Sequence, residues 1–184
     1  MKMINKINMA SEYVGSLLKT CYFQAGGTPA DAPVEDGAIV SIKGIRAHDV
    51  YSGVYDLNAR NCTAFDENEP VYGIVDYVGV SHADVMGVNY KIGEKTAGCF
   101  PIAGEATRVR IPAVGDEFYL GNENFSGAPA AGKFAAPADG ETTWAVSVSA
   151  AQSGLCIAIE DTRPLITGQV NEGSTLYRCR VISL

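Results

Sequence analysis

Histidine is nearly absent: the 184-residue chain has His48 and His82 and no other. Acid–base catalysis near neutral pH draws most often on histidine, so few catalytic arrangements remain open. His48 is followed by Asp49, and neighbours on a strand face opposite sides, so these two do not pair there. His82 and Asp84 share a strand face, but they become a Cys-His-Asp set only if the fold delivers Cys99, and nothing in the sequence does that. The chain also lacks a G-x-S-x-G elbow, a G-x-G-x-x-G turn, a P-loop and an H-E-x-x-H pair. The sequence therefore assigns no catalytic residues, no cofactor-binding residues and no cofactor, and it reads as a non-enzyme.

Closely spaced cysteines are missing too. Cys21, Cys62, Cys99, Cys156 and Cys179 form no C-x-x-C or C-x-H spacing, which leaves a zinc site without support; no metal ligands are assigned. Cys156 in Gly154-Leu-Cys-Ile-Ala-Ile and Cys179 in Tyr177-Arg-Cys-Arg-Val have strand contexts. There cysteine serves as a small buried apolar residue, and free thiols suit a reducing cytosol. No run approaches the ~20 apolar residues of a membrane span. Asn5, Lys6 and Asn8 interrupt the N-terminal apolar residues, so a secretory signal is not expected and no membrane partner is assigned. Positive charge is in deficit, with 14 basic against 21 acidic residues and a net charge of −7. A basic stripe is absent, and direct nucleic-acid binding is not expected.

What is present suits a folded β protein. Hydrophobic residues make up 47% and charged residues 19%, a balance that excludes a mostly disordered chain. A chain of this mass can bury about 70% of its unfolded surface, enough for a core without staples. Residues 1–30 carry Lys2, Lys6 and Lys19 against Glu12, a charge of +2, which leaves −9 on the rest. Ser11 is placed to cap a short helix over 12–19. Residues 24–36, rich in Gly, Pro and Ala, read as a linker. The expected organisation is an N-terminal arm and linker over 1–36 and a β-rich structural domain over 37–184.

From Gly37 onward, β-branched and alternating segments recur with turn signals between them. Strands are expected over 38–45, 70–80, 107–111, within 115–121, and over 132–135, 142–149, 153–160 and 176–184. Residues 48–57 follow a looser pattern, 58–69 read as a polar loop, and 122–131 as a turn-rich excursion. The fold class is mainly β, an antiparallel sandwich or barrel-like domain with an extended N-terminal arm. Asp66-Glu67-Asn68-Glu69 lacks the alternating ligands and bend glycine of a calcium loop, so it reads as a solvated loop. Asp116, Glu117 and Glu123, flanked by Gly115 and Gly121, decorate a hairpin rather than form a catalytic carboxylate pair. Tyr51, Tyr55, Tyr72 and Tyr77 divide between core and interface.

The order of these features carries a resemblance. A partly basic leader and a Gly/Pro linker precede Glu35-Asp36-Gly37-Ala38-Ile39-Val40. Val71-Tyr-Gly-Ile-Val-Asp76, Gly115-Asp-Glu-Phe-Tyr-Leu-Gly121 and a closing Tyr177-Arg-Cys-Arg-Val181 strand follow. In style and motif order this resembles the capsid decoration (cement) proteins of tailed bacteriophages, small virion structural proteins. The resemblance implies a non-enzymatic protein on the capsid surface of a virion, assembled in the host bacterial cytoplasm. It also implies the major capsid protein as partner, with self-association in a homo-oligomer such as a trimer. The other reading of the same features is a β-rich ligand- or glycan-binding module of a phage fibre or baseplate.

Overall fold

A computed structural model describes residues 4–25, 31–46, 58–77, 103–104, 106–151, 153–164 and 175–184. The described strands are β1 (Ile4–Asn8), β2 (Leu18–Phe23), β3 (Ile39–Ile45), β4 (Arg60–Ala64), β5 (Tyr72–Tyr77) and β6 (Thr107–Arg110) in the first half. The second half holds β7 (Glu117–Gly121), β8 (Phe125–Ser126), β9 (Phe134–Pro137), β10 (Trp144–Ser147), β11 (Cys156–Pro164) and β12 (Thr175–Ser183). They build a seven-stranded sheet in the order β1-β7-β12-β11-β9-β10-β8 and a closed barrel in the order β2-β4-β3-β5-β6. The mainly β expectation holds. Pairing is mostly antiparallel, with β2–β4 and β8–β10 as parallel pairs.

Alternation explains how one short barrel strand serves two cores. Along β3, Val40 and Ile42 point into the barrel with Cys21, Cys62, Val75 and Val109. Ile39 points the other way, joining Ile74 of β5 in the layer beneath the seven-stranded sheet. Successive side chains on a strand face opposite sides, so a run buried on both faces reads as continuously apolar. The second core is completed by Phe118, Leu120, Trp144, Ile157, Ile159, Cys179 and Val181. Register puts Leu120 opposite Ile4 and Tyr177, and Phe118 opposite Cys179, so this inner face is one continuous apolar surface.

Polar clamps fix the two sheets against each other. The Trp144 indole N–H donates to Gly37 O at 3.1 Å, and Asn124 Nδ2 donates to Asp36 O at 2.7 Å. Asn124 Oδ1 in turn accepts the Gly121 N–H at 3.2 Å. Gly37 has φ of 73°, and a Cβ built there would meet Asn124 Nδ2 at 2.5 Å. The turn entering β3 therefore needs glycine for both backbone conformation and space. Ile39 N–H also donates to Thr142 O, joining barrel and sheet through the main chain.

Three expectations are corrected. The described part of residues 1–36 is not an arm held apart from the body. β1 pairs with β7, β2 closes the barrel between β4 and β6, and Met9, Cys21 and Val34 are core residues. Asp31, in the supposed linker, forms a two-pronged pair with Arg46 at 2.7 and 2.8 Å, and that guanidinium lies 4.1 Å over the Tyr22 ring. The helix expected over 12–19 is replaced by 3-10 turns at Ala10–Glu12 and Gly15–Leu17, followed directly by β2. Gly15 weakens a helix there, and barrel closure gives Leu18–Phe23 two strand partners. The supposed loop 58–69 contains β4, where Cys62 alone is buried and polar neighbours hide the pattern. The looser segment 48–57 lies outside the described residues.

Candidate interaction surface

Where the leader meets the sheet, a buried carboxylate organises the surface. Asp116 accepts the Ala10 N–H at 2.8 Å on one oxygen and the Ala113 N–H at 2.9 Å on the other. Its own N–H donates to Ala113 O at 3.0 Å, closing a tight turn over residues 113–116. Gly115 takes φ of 94°, which the third position of such a turn requires, and Val114 is left at the corner. Tyr13 N–H and Val14 N–H both donate to Ala10 O, so the 3-10 turn hangs from the residue that Asp116 holds.

Both segments turn apolar side chains to solvent. Tyr13 is 81% exposed and Val114 62%, and Val14 and Ile7 are exposed beside them in the chain. Ile7 lies at the irregularity of β1, where the register with β7 shifts between Lys6 and Asn8. These four are half of the eight large hydrophobics exposed among the described residues. Scattered apolar residues on a surface need no explanation, but these four lie on the two segments that Asp116 ties together.

A second polar centre anchors the same region from below. Arg110 Nε donates to Asp76 Oδ2 at 2.6 Å and Arg110 Nη1 donates to Ser11 Oγ at 3.1 Å; all three residues are buried. Arg108 Nη2 reaches the same Asp76 oxygen at 3.1 Å. The leader, β5 and β6 thus share one charge-assisted network, in which Ser11 accepts a hydrogen bond instead of capping a helix.

The acidic clusters read from the sequence fall apart into structural contacts. Lys43 donates to Asp66 at 2.8 Å and to Glu69 at 2.7 Å, so an ammonium sits where a calcium ion would. The Lys43 bond, with help from the Asn68 N–H, holds the Asp66 carboxyl below its usual range. Lys43 is shifted up; burial pulls its pKa down, but the two carboxylates outweigh that. Asp116 turns inward, whereas Glu117 takes the Arg178 guanidinium at 2.7 Å and Glu123 lies on the 3-10 turn Asn122–Asn124, so they form no carboxylate pair. Arg180 pairs with Glu160 at 2.8 Å, extending a ladder of compensated charges over β7, β12 and β11.

The four described cysteines are buried and free. Cys21 and Cys62 meet inside the barrel, a contact with no trace in their spacing. The hydrogen bond between them, followed by burial, pushes the Cys62 thiol far above its ordinary range. Burial does the same to Cys179. Tyr72 is half-buried with its ring 5.8 Å from Phe65, and burial raises its pKa. His48, His82, Asp84, Cys99, Tyr51 and Tyr55 lie outside the described residues, as does the Tyr77 side chain. Among the described residues no group of three or more His, Cys, Asp or Glu is placed to hold a metal. No described helix is long and apolar enough to cross a membrane.

No family model, no curated protein and no solved structure matches this chain.

Proposed function

We propose that the protein is a non-enzymatic virion structural protein that binds and stabilises a bacteriophage capsid. The observation that supports this reading is the exposure of Ile7, Tyr13, Val14 and Val114 on the two segments that the buried Asp116 ties together. A decoration protein needs an adhesive face and a robust β scaffold. Aromatic and aliphatic anchors carry much of the energy of such contacts. Many weak copies on a symmetric shell add avidity. The leader keeps a role in contacts in this reading, as a folded edge of the body rather than as a free arm. Partners are then the major capsid protein and further copies of the chain, with a trimer as the form that matches a threefold shell site.

The test is addition of purified protein to expanded shells of the major capsid protein encoded with it. Saturable co-sedimentation at a fixed ratio to capsid subunits supports the reading, together with a rise in the temperature at which shells disassemble. Protein that stays in the supernatant at every concentration overturns it.

A further inference from the structure

The barrel interior holds two nucleophiles that are independent of the capsid reading. Cys21 of β2 and Cys62 of β4 are fully buried, in one apolar cluster with Val40, Val75 and Val109. The two strands run parallel, with Cys21 opposite Arg60 and Phe23 opposite Cys62. The cysteines are therefore diagonal neighbours, two positions apart, and that spacing puts both side chains on one face of the pair. Side chains on the concave face of a closed barrel converge, and here the two thiols come into hydrogen-bonding contact. The other described cysteines are not matched in this way. Cys156 stands opposite Ser183 and Cys179 opposite Ile159, four ladder positions from each other.

The seam they share is short. The described β2–β4 register runs only from Cys21–Arg60 to Phe23–Cys62. On the other side of β4, the pairing with β3 slips between Ile42 and Ile45, against the same stretch from Cys62 to Arg60. A short ladder beside a bulge is a place where a barrel opens locally without unfolding as a whole.

We propose that Cys21 and Cys62 form a redox-sensitive latch, packing as thiols under reducing conditions and closing into a disulfide across the β2–β4 seam in the presence of a small-molecule disulfide. While the seam is open, one cysteine loses its proton and the thiolate attacks a sulfur of glutathione disulfide, expelling one glutathione thiolate. The thiolate of the other cysteine then attacks the protein sulfur of the mixed disulfide and expels the second. The two cysteines lose two electrons, one glutathione disulfide becomes two glutathione thiols, and the two cysteine protons end on them. In the closed barrel both sulfurs are covered, so opening gates the reaction and closure takes hours rather than minutes. A diagonal pair lies at or beyond the usual Cα span of a disulfide, so the bridge draws the two strands together and stays reducible.

The test uses freshly reduced full-length protein carrying Cys99→Ser, incubated overnight with excess glutathione disulfide at mildly alkaline pH. Thiols are then counted in denaturant, and linked peptides are identified by mass spectrometry. Two of the four thiols should be lost, the protein should become lighter by two hydrogens, and the linked peptides should contain Cys21 and Cys62. Dithiothreitol should restore all four thiols. Closing the long loop between residues 21 and 62 should raise Tm by about 5 °C or more, and reduction should reverse the rise. A Cys62→Val protein treated alike should form no internal link and show no such rise. The proposal is overturned if all four thiols survive, if a different pair is linked, or if the linked protein melts at the same temperature as the reduced one. These readouts come from the unaltered Cys21–Cys62 pair, so they stand even where the Cys62→Val protein does not fold.

Discussion

At the scale of single residues, the buried charges make the sharpest claims. Asp76 is the carboxylate that Arg110 is buried against, and Ser11 completes the guanidinium's set. Asp76→Asn leaves a buried cation without its counter-charge and should cost about 3–5 kcal/mol. Thermal unfolding followed by circular dichroism checks this, with an expected fall in Tm of about 10 °C; a Tm within a degree of wild type would remove the network from the account. Gly37→Ala places a methyl against Asn124 in a left-handed backbone, and should cost about 2 kcal/mol by urea unfolding. Because the Asp66 pKa is lowered in the folded protein, the Lys43 clasp contributes above the ordinary carboxylate pKa. That contribution disappears as the pH falls through the depressed value. A carboxyl NMR titration should place the Asp66 midpoint below 3.8, and a midpoint at or above it would contradict the Lys43 contact. Burial keeps the four described thiols covered, so a Cys99→Ser protein should give no rapid reaction with a thiol reagent in the native state and four thiols in denaturant.

At the scale of elements, legibility followed the physics of burial. β5 and β3 were readable because their residues are apolar on both faces, one for the barrel and one for the sheet. β4 was not, since Cys62 is its one buried side chain between Asn61 and Thr63. The leader misled for a related reason. Its attachment is largely polar, through the Ala10 N–H to Asp116 and Ser11 to Arg110, and periodicity of apolar residues does not register such bonds. The Cys21–Cys62 meeting depends on barrel closure between segments distant in sequence, which no local spacing encodes. β1 is also an edge strand, and the register irregularity between Lys6 and Asn8 is a device that discourages edge-to-edge pairing. Removal of residues 1–9 should therefore bare the β7 edge and uncover the Met9 site, with loss of cooperative unfolding or with aggregation in size-exclusion chromatography. A truncated chain that unfolds like the full one would restore the free-arm reading.

At the scale of the whole molecule, two β units are locked together by Trp144, Asn124 and the Asp76 network, and the charges over the β7–β12–β11 face are compensated within that face. The apolar group beside the leader is then the surface most suited to cover by a partner, and this is the centre of the proposed function. Co-sedimentation with capsid shells, comparing wild type with Tyr13→Asp/Val114→Asp and with Val148→Asp, tests it most directly. Val148 is as exposed as Tyr13 but follows β10, elsewhere on the sheet. The double variant should fold normally and lose at least tenfold in shell binding, about 1.4 kcal/mol, while Val148→Asp binds like wild type. Equal binding by all three, or loss only in Val148→Asp, would contradict the assignment of this surface.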